Sequence, residues 1–90
     1  MATSKTISPT TAALGEEVVD ATSAFSVLNT EYPHTIFIAL VDTTTDENTG
    51  WIPLQHREGA TRATFGDQEG KLFIKASTPG AKASLTKNWA

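Results

Sequence analysis

Ninety residues with no cysteine make one domain that holds neither a disulfide nor a thiolate zinc site. A chain this short buries only about 60–65% of its extended-chain surface, so it must rest on its apolar core or on oligomerisation. The net charge of −3 is unevenly placed: residues 1–50 carry one base, Lys5, against seven acids, and residues 51–90 carry six bases against three acids. Either strands from the two halves interleave and neutralise one another, or two poles help identical subunits meet head to tail.

Residues 1–13 read as an N-terminal arm. Small residues dominate it, and Ile7 is its only sizeable apolar side chain after Met1. Such a segment has little to bury and is expected to be mobile in an isolated copy. If it is ordered, the expected holder is another subunit or a larger assembly. The opening lacks a long apolar segment, and no stretch approaches the roughly 20 apolar residues of a membrane span. The expectation is therefore a protein made in a cytoplasm and kept there or released by lysis, with no membrane partner.

The stretch 14–28 supports two readings. Leu14, Val18, Ala21, Phe25 and Leu28 are spaced 4, 3, 4 and 3, which is a helical stripe. Against a helix stand Gly15 and the run D-A-T-S-A-F-S-V, poor in strong helix formers. The alternative is two short strands, 17–20 and 23–29, with Phe25 and Val27 on one face. Pro33 then makes 31–33 a turn or loop.

The clearest pattern is 35–55: T-I-F-I-A-L-V, then D-T-T-T-D-E-N-T-G, then W-I-P-L-Q. Two apolar runs around a polar, acidic loop predict a β-hairpin with a long solvated tip. Its first strand is apolar at both parities, with Ile36, Ile38 and Leu40 on one side and Phe37, Ala39 and Val41 on the other. A small protein does not easily bury both. Pro53 lacks an amide donor, which puts the returning strand at a sheet edge.

Beyond the hairpin, Arg57-Glu58-Gly59 is a turn, and 60–65 alternates as a strand with Thr61, Ala63 and Phe65 on one face. The glycine-bracketed turn 66–70 leads into strand 71–76, where Leu72, Ile74 and Ala76 share a face and Phe73 sits between Lys71 and Lys75. Pro79-Gly80 centres another turn. In the last strand Ala81, Ala83, Leu85 and Trp89 alternate with Lys82, Ser84, Thr86 and Asn88. Turns recur about every ten residues, which predicts an all-β domain over 14–90: a small antiparallel β-sandwich or barrel carrying an extended N-terminal arm.

Little in this chain resembles catalytic machinery. His34 and His56 are candidates for acid–base work, but no G-x-S-x-G or H-E-x-x-H surrounds them, and strand-end or surface histidines are the plainer reading. Asp42, Asp46 and Glu47 offer oxygen ligands for calcium, but the position of Gly50 and the lack of a following bidentate Glu depart from the EF-hand loop. The glycines read as turn residues, not a phosphate loop. No catalytic, cofactor or metal residue is assigned. The Lys71-x-Phe73-x-Lys75 alternation has the basic and aromatic groups a nucleic-acid binder would show, but the basic residues are sparse and the pI is about 5.2. Trp51 and Trp89 read as core or interface residues.

The Ala/Thr/Ser-rich start, the missing cysteine, the G-E-E-V-V opening, the hairpin ending G-W-I-P-L and the closing G-K-L-F-I-K-A-S-T-P-G-A-K-A-S-L-T-K-N-W together resemble the small all-β accessory proteins of tailed bacteriophage virions. The resemblance spans about 15–89 and is one of pattern and composition. It implies a non-enzymatic structural protein of the virion, which decorates capsids or forms part of a head or tail, with several copies in symmetric contact. The implied partners are copies of itself, a major capsid protein or a tail protein. The contact is expected on Ile7, Ile36, Ile38, Leu40, Trp51, Phe73 and Trp89. The alternative is a small carbohydrate- or host-surface-binding module using Trp51, Tyr32 or the hairpin loop.

Overall fold

Short alternating runs bounded by turn residues cannot bury an apolar face alone, so they pair. In the computed structural model, which describes residues 2–20, 24–44 and 49–89, they make eight strands. These are β1 (Ala2–Ile7), β2 (Glu16–Val19), β3 (Ser26–Asn29), β4 (Ile36–Val41), β5 (Ile52–Leu54), β6 (Gly59–Thr61), β7 (Lys71–Ala76) and β8 (Ala83–Asn88). Two antiparallel sheets result. The front sheet runs β1-β8-β3-β6 and the back sheet β2-β7-β4-β5. The all-β sandwich expected from the sequence is therefore the observed architecture. Residues 14–28 take the strand reading, as β2 and β3, and not the helical one; residues 21–23 lie outside the described ones.

The strand order has a simple origin. β1 pairs with β8, β2 with β7, β3 with β6 and β4 with β5, all antiparallel. The chain behaves as one long ribbon folded back at the β4–β5 hairpin and rolled, so that successive pairs fall alternately in the front and back sheets. Contacts β3·β8 and β4·β7 then close each sheet. An eight-stranded double sheet wound in this way has jelly-roll topology. The hairpin predicted at 35–55 is the ribbon's turning point, with Ile36 opposite Leu54 and Ile38 opposite Ile52. Pro53 lies on β5, an edge strand of the back sheet, as its missing N–H requires.

The core is the layer between the sheets. Val27, Ala83 and Leu85 from the front meet Ile36, Ile38, Leu40, Leu72 and Ile74 from the back, each at most 2% exposed. One polar side chain crosses this layer. Asn29, fully buried at the end of β3, donates through Nδ2 to the carbonyls of His34 (2.7 Å) and Leu54 (2.8 Å), and its Oδ1 accepts the Glu31 N–H at 3.0 Å. The front sheet is thereby bonded to β5 and to the segment that leads into β4. A buried amide satisfied on both sides costs little, whereas partners left without it cost a great deal.

Two expectations change. The first concerns the arm. Residues 2–7 are strand β1, in unbroken register with β8 from Ala2 opposite Asn88 to Ile7 opposite Ala83, so the holder of this segment is the chain itself. The Cα radius of gyration, 11.9 Å, is close to the ~12 Å of a compact 90-residue domain and leaves no projecting arm among the described residues. The second concerns 60–65. Only Gly59–Thr61 is strand; Arg62–Phe65 is a short 3-10 helix. Ala60, not Thr61, turns inward. The Thr61 N–H donates to Thr64 Oγ1 at 2.9 Å, which tightens the chain as the strand ends, and Phe65 packs on Phe25 with ring centroids 6.1 Å apart.

Asn29→Ala is expected to lower unfolding free energy by about 2–4 kcal/mol, because one buried and one part-buried carbonyl lose their donor. Asn88→Ala, on the exposed end of β8, should stay within about 0.5 kcal/mol. Urea unfolding of both variants measures the difference. Deleting residues 2–12 should lower the urea midpoint sharply, since it strips β8 of its neighbour.

Candidate interaction surface

The expected contact residues fall in three separate places. Ile36, Ile38 and Leu40 point into the core, at 0%, 0% and 2% exposure, and have no surface left for a partner. This corrects their assignment to an interface: they occupy the inward parity of β4, and the front sheet covers them. Ile7 is half-buried at the end of β1 and packs against the same core. Trp51 and Phe73 belong to the outer face of the back sheet, and Trp89 to the rim beside β1.

The back sheet's outer face explains the second apolar side of β4. Cross-strand pairing sets Phe37 beside Lys75 and Ala39 beside Phe73. The Lys75 ammonium stands 4.5 Å from the Trp51 ring centroid and 5.7 Å from that of Phe37, and donates to the Ala13 carbonyl at 3.1 Å. The Trp51 indole thus lies across this face with the 10–15 segment beside it, and Ala39 on the same face is only 2% exposed. The Trp51 Nε1 is buried and has no hydrogen-bond partner among the described residues. Gly15 permits the fit. Its φ is +67°, and a Cβ there would lie 2.7 Å from Trp51 Cη2 and 2.8 Å from the Ile74 carbonyl oxygen. Both lysines around Phe73 are engaged: Lys75 as described, and Lys71 with Glu17 at 3.4 Å. This ion pair joins an acid of the first half to a base of the second, as strand interleaving predicts.

Trp89 is similarly committed. Its Nε1 donates to the Thr3 carbonyl at 2.9 Å, and the ammonium groups of Lys87 and Lys5 stand 4.4 and 4.8 Å from its ring centroid. Lys87 also reaches across the sandwich to the Val18 carbonyl.

Each histidine contacts one neighbouring side chain. His34 Nδ1 is 2.5 Å from Thr78 Oγ1, and His56 lies edge-on to Tyr32 with centroids 5.6 Å apart. Among the described residues no cluster of three or more His, Asp or Glu forms a metal site, and no pocket is found. Asp42 is exposed; Asp46 and Glu47, the other loop acids weighed for calcium, lie outside the described residues.

The surface that sequence reasoning missed is the outer face of the front sheet. One register row runs Ser4–Thr86–Ser26–Thr61 across all four strands. The next runs Thr6–Ser84–Leu28–Gly59, and Ala2 and Asn88 extend the face. No charged side chain stands among these positions, although a fifth of the whole chain is charged. Ser4 and Thr86 share a hydrogen bond of 2.6 Å between their hydroxyls, and Leu28, 39% exposed, is the one large apolar group. The polar parity of β8 was visible as Ser84, Thr86 and Asn88. Its alignment with β1 and β3 was not, because register is a tertiary property.

Comparison with protein-family models, curated proteins and solved structures returns no match for this chain.

Gly15→Ala is expected to cost about 1–3 kcal/mol, from left-handed strain and from collision with Trp51. In a Trp89→Phe background, a red shift of the remaining Trp51 emission together with a lower urea midpoint would show the indole displaced. An unchanged spectrum would show that Gly15 does not seat it.

Proposed function

We propose that this chain is a non-enzymatic structural module that assembles with copies of itself or with a larger protein lattice, as a virion decoration or accessory protein does. The observation that carries the reading is the uncharged outer face of the front sheet. Solvent-facing sheet surfaces normally intersperse charges of both signs, whereas charged residues are depleted at the centres of protein interfaces. The charges of this chain's sheets lie elsewhere, as in the Glu17–Lys71 pair on the back sheet. The topology is compatible. Jelly rolls build viral capsid domains, and also lectins and cupins, so the fold alone does not choose. The sequence resemblance to tailed-phage accessory proteins is what favours the virion.

The size of the face sets the kind of assembly. The 19 residues of its four strands, each covering about 4.8 Å by 3.4 Å, give roughly 300 Å² in plan. A stable pairwise interface covers about 800 Å² per partner. One such face therefore makes a weak contact, which gains strength where many copies are held in register on a lattice.

Thr86→Arg or Ser26→Arg places a guanidinium in the middle of the face, at solvent-facing positions where the fold tolerates it. Either variant should stay folded by circular dichroism and lose concentration-dependent association in sedimentation velocity, or lose co-sedimentation with the lattice. A wild-type chain that sediments as a 9.6 kDa monomer at every concentration, and that no particle from its source retains, would overturn the reading.

A second reading has one observation in its favour. Tyr32 is 73% exposed and braced by His56, an aromatic platform of the kind that stacks on sugars. The Trp51 of the same alternative is withdrawn, because its ring is covered by Lys75 and the 10–15 segment. A glycan array that lights up with the wild type and not with Tyr32→Ala would move the assignment to this reading.

A further inference from the structure

A sheet edge is an open row of backbone donors and acceptors, and proteins blunt such edges with short strands, proline, charge or bulges. Three of the four edges here are blunted. β5 has three residues, with Pro53 in the middle. β6 has three residues and runs straight into the 3-10 helix. β2 has four residues, carries Glu16 and Glu17, and breaks register between Glu17 and Val19. β1 lacks all but one of these devices. It is six residues long, regular against β8, almost wholly exposed, and free of proline and glycine. Its one charged side chain, Lys5, is drawn over the Trp89 ring at 4.8 Å.

We infer that the free edge of β1 takes the β1 of a second copy, antiparallel about a twofold axis, joining two front sheets into one continuous eight-stranded sheet. This rests on the assembly reading above and names the partner and the contact. The sequence of β1 selects the register. An axis through Ser4 sets Ser4 against Ser4, Thr3 against Lys5 and Ala2 against Thr6. Every outward pair is then small and uncharged. An axis through Lys5 would set two ammonium groups directly opposite, which is destabilising in a sheet. With the axis at Ser4, the row Ser4–Thr86–Ser26–Thr61 meets its own copy end to end, so the two uncharged faces fuse into one surface of twice the extent. The Thr3 carbonyl, which accepts from Trp89, keeps a second lone pair.

The test uses the absence of cysteine from the chain. Ser4→Cys introduces a single thiol at the predicted axis, where directly opposed Cβ atoms are about 4.5–5.5 Å apart and within reach of a bridge after slight adjustment. Diamide accepts the two electrons as two thiols become a disulfide. Thr61→Cys, in the same row but on the opposite edge, is the control. Ser4→Cys should give a covalent dimer on non-reducing gels several-fold faster than Thr61→Cys, with the dimer centred in register at position 4 and less product from Ala2→Cys or Thr6→Cys. Equal rates at positions 4 and 61 would overturn the inference. The two readings separate cleanly. Association that Thr86→Arg abolishes, without cross-linking at position 4, removes the edge pairing and keeps the face. Cross-linking at position 4, with association indifferent to Thr86→Arg, keeps the edge and removes the face.

Discussion

A cysteine-free chain of ninety residues can hold two sheets together only through the layer between them, and a ribbon that rolls on itself is how this chain makes that layer. Each early strand pairs with a late one, so the core closes only when the whole chain is in place. Ala83 and Leu85 of β8 are buried only if β3 and β1 flank that strand, and Ile36, Ile38 and Leu40 only if β7 lies beside β4. The same wiring disposes of the charge asymmetry. The acidic first half and the basic second half are laid strand by strand against each other, as the Glu17–Lys71 pair shows on the back sheet.

Asn29 and Trp51 solve the two local problems this winding creates. At the open base of the hairpin, the carbonyls of His34 and Leu54 both accept from the Asn29 amide of the facing sheet. Where β4 presents apolar side chains outward, Trp51 returns from the hairpin tip to lie across them, held by the Lys75 ammonium and seated against Gly15. The Lys75 stem stands beside both the Trp51 and Phe37 rings, and Ala39 on this face is 2% exposed.

The features that favour assembly lie on the other sheet. Hydroxyls, one amide and one leucine pave the front sheet's outer surface without a charge, and its β1 edge is the one whose only defence is a single lysine, Lys5. These features are adjacent, since Ser4 belongs to both. A catalytic reading has no comparable anchor among the described residues: His34 is engaged with Thr78 and His56 with Tyr32.

Local pattern carried a good part of this fold. Strand 71–76, the 35–55 hairpin, the edge position of Pro53 and the inward parity of Ala81, Ala83 and Leu85 were all readable, because side chains alternate with period two and turns carry their own residue types. The helical spacing of 14–28 misled only as an alternative; poor helix formers decided it for strands. Tertiary structure alone decided three things. It made residues 2–7 a strand instead of an arm, by supplying β8. It brought Trp51 and Gly15 together on the outer side of the back sheet. It aligned Ser4, Thr86, Ser26 and Thr61 in one row. The Ser4–Thr86 hydroxyl pair spans 82 positions of sequence. A strand's own residues say which way its side chains alternate, but the neighbour and the register are set by closure of the whole ribbon around one core.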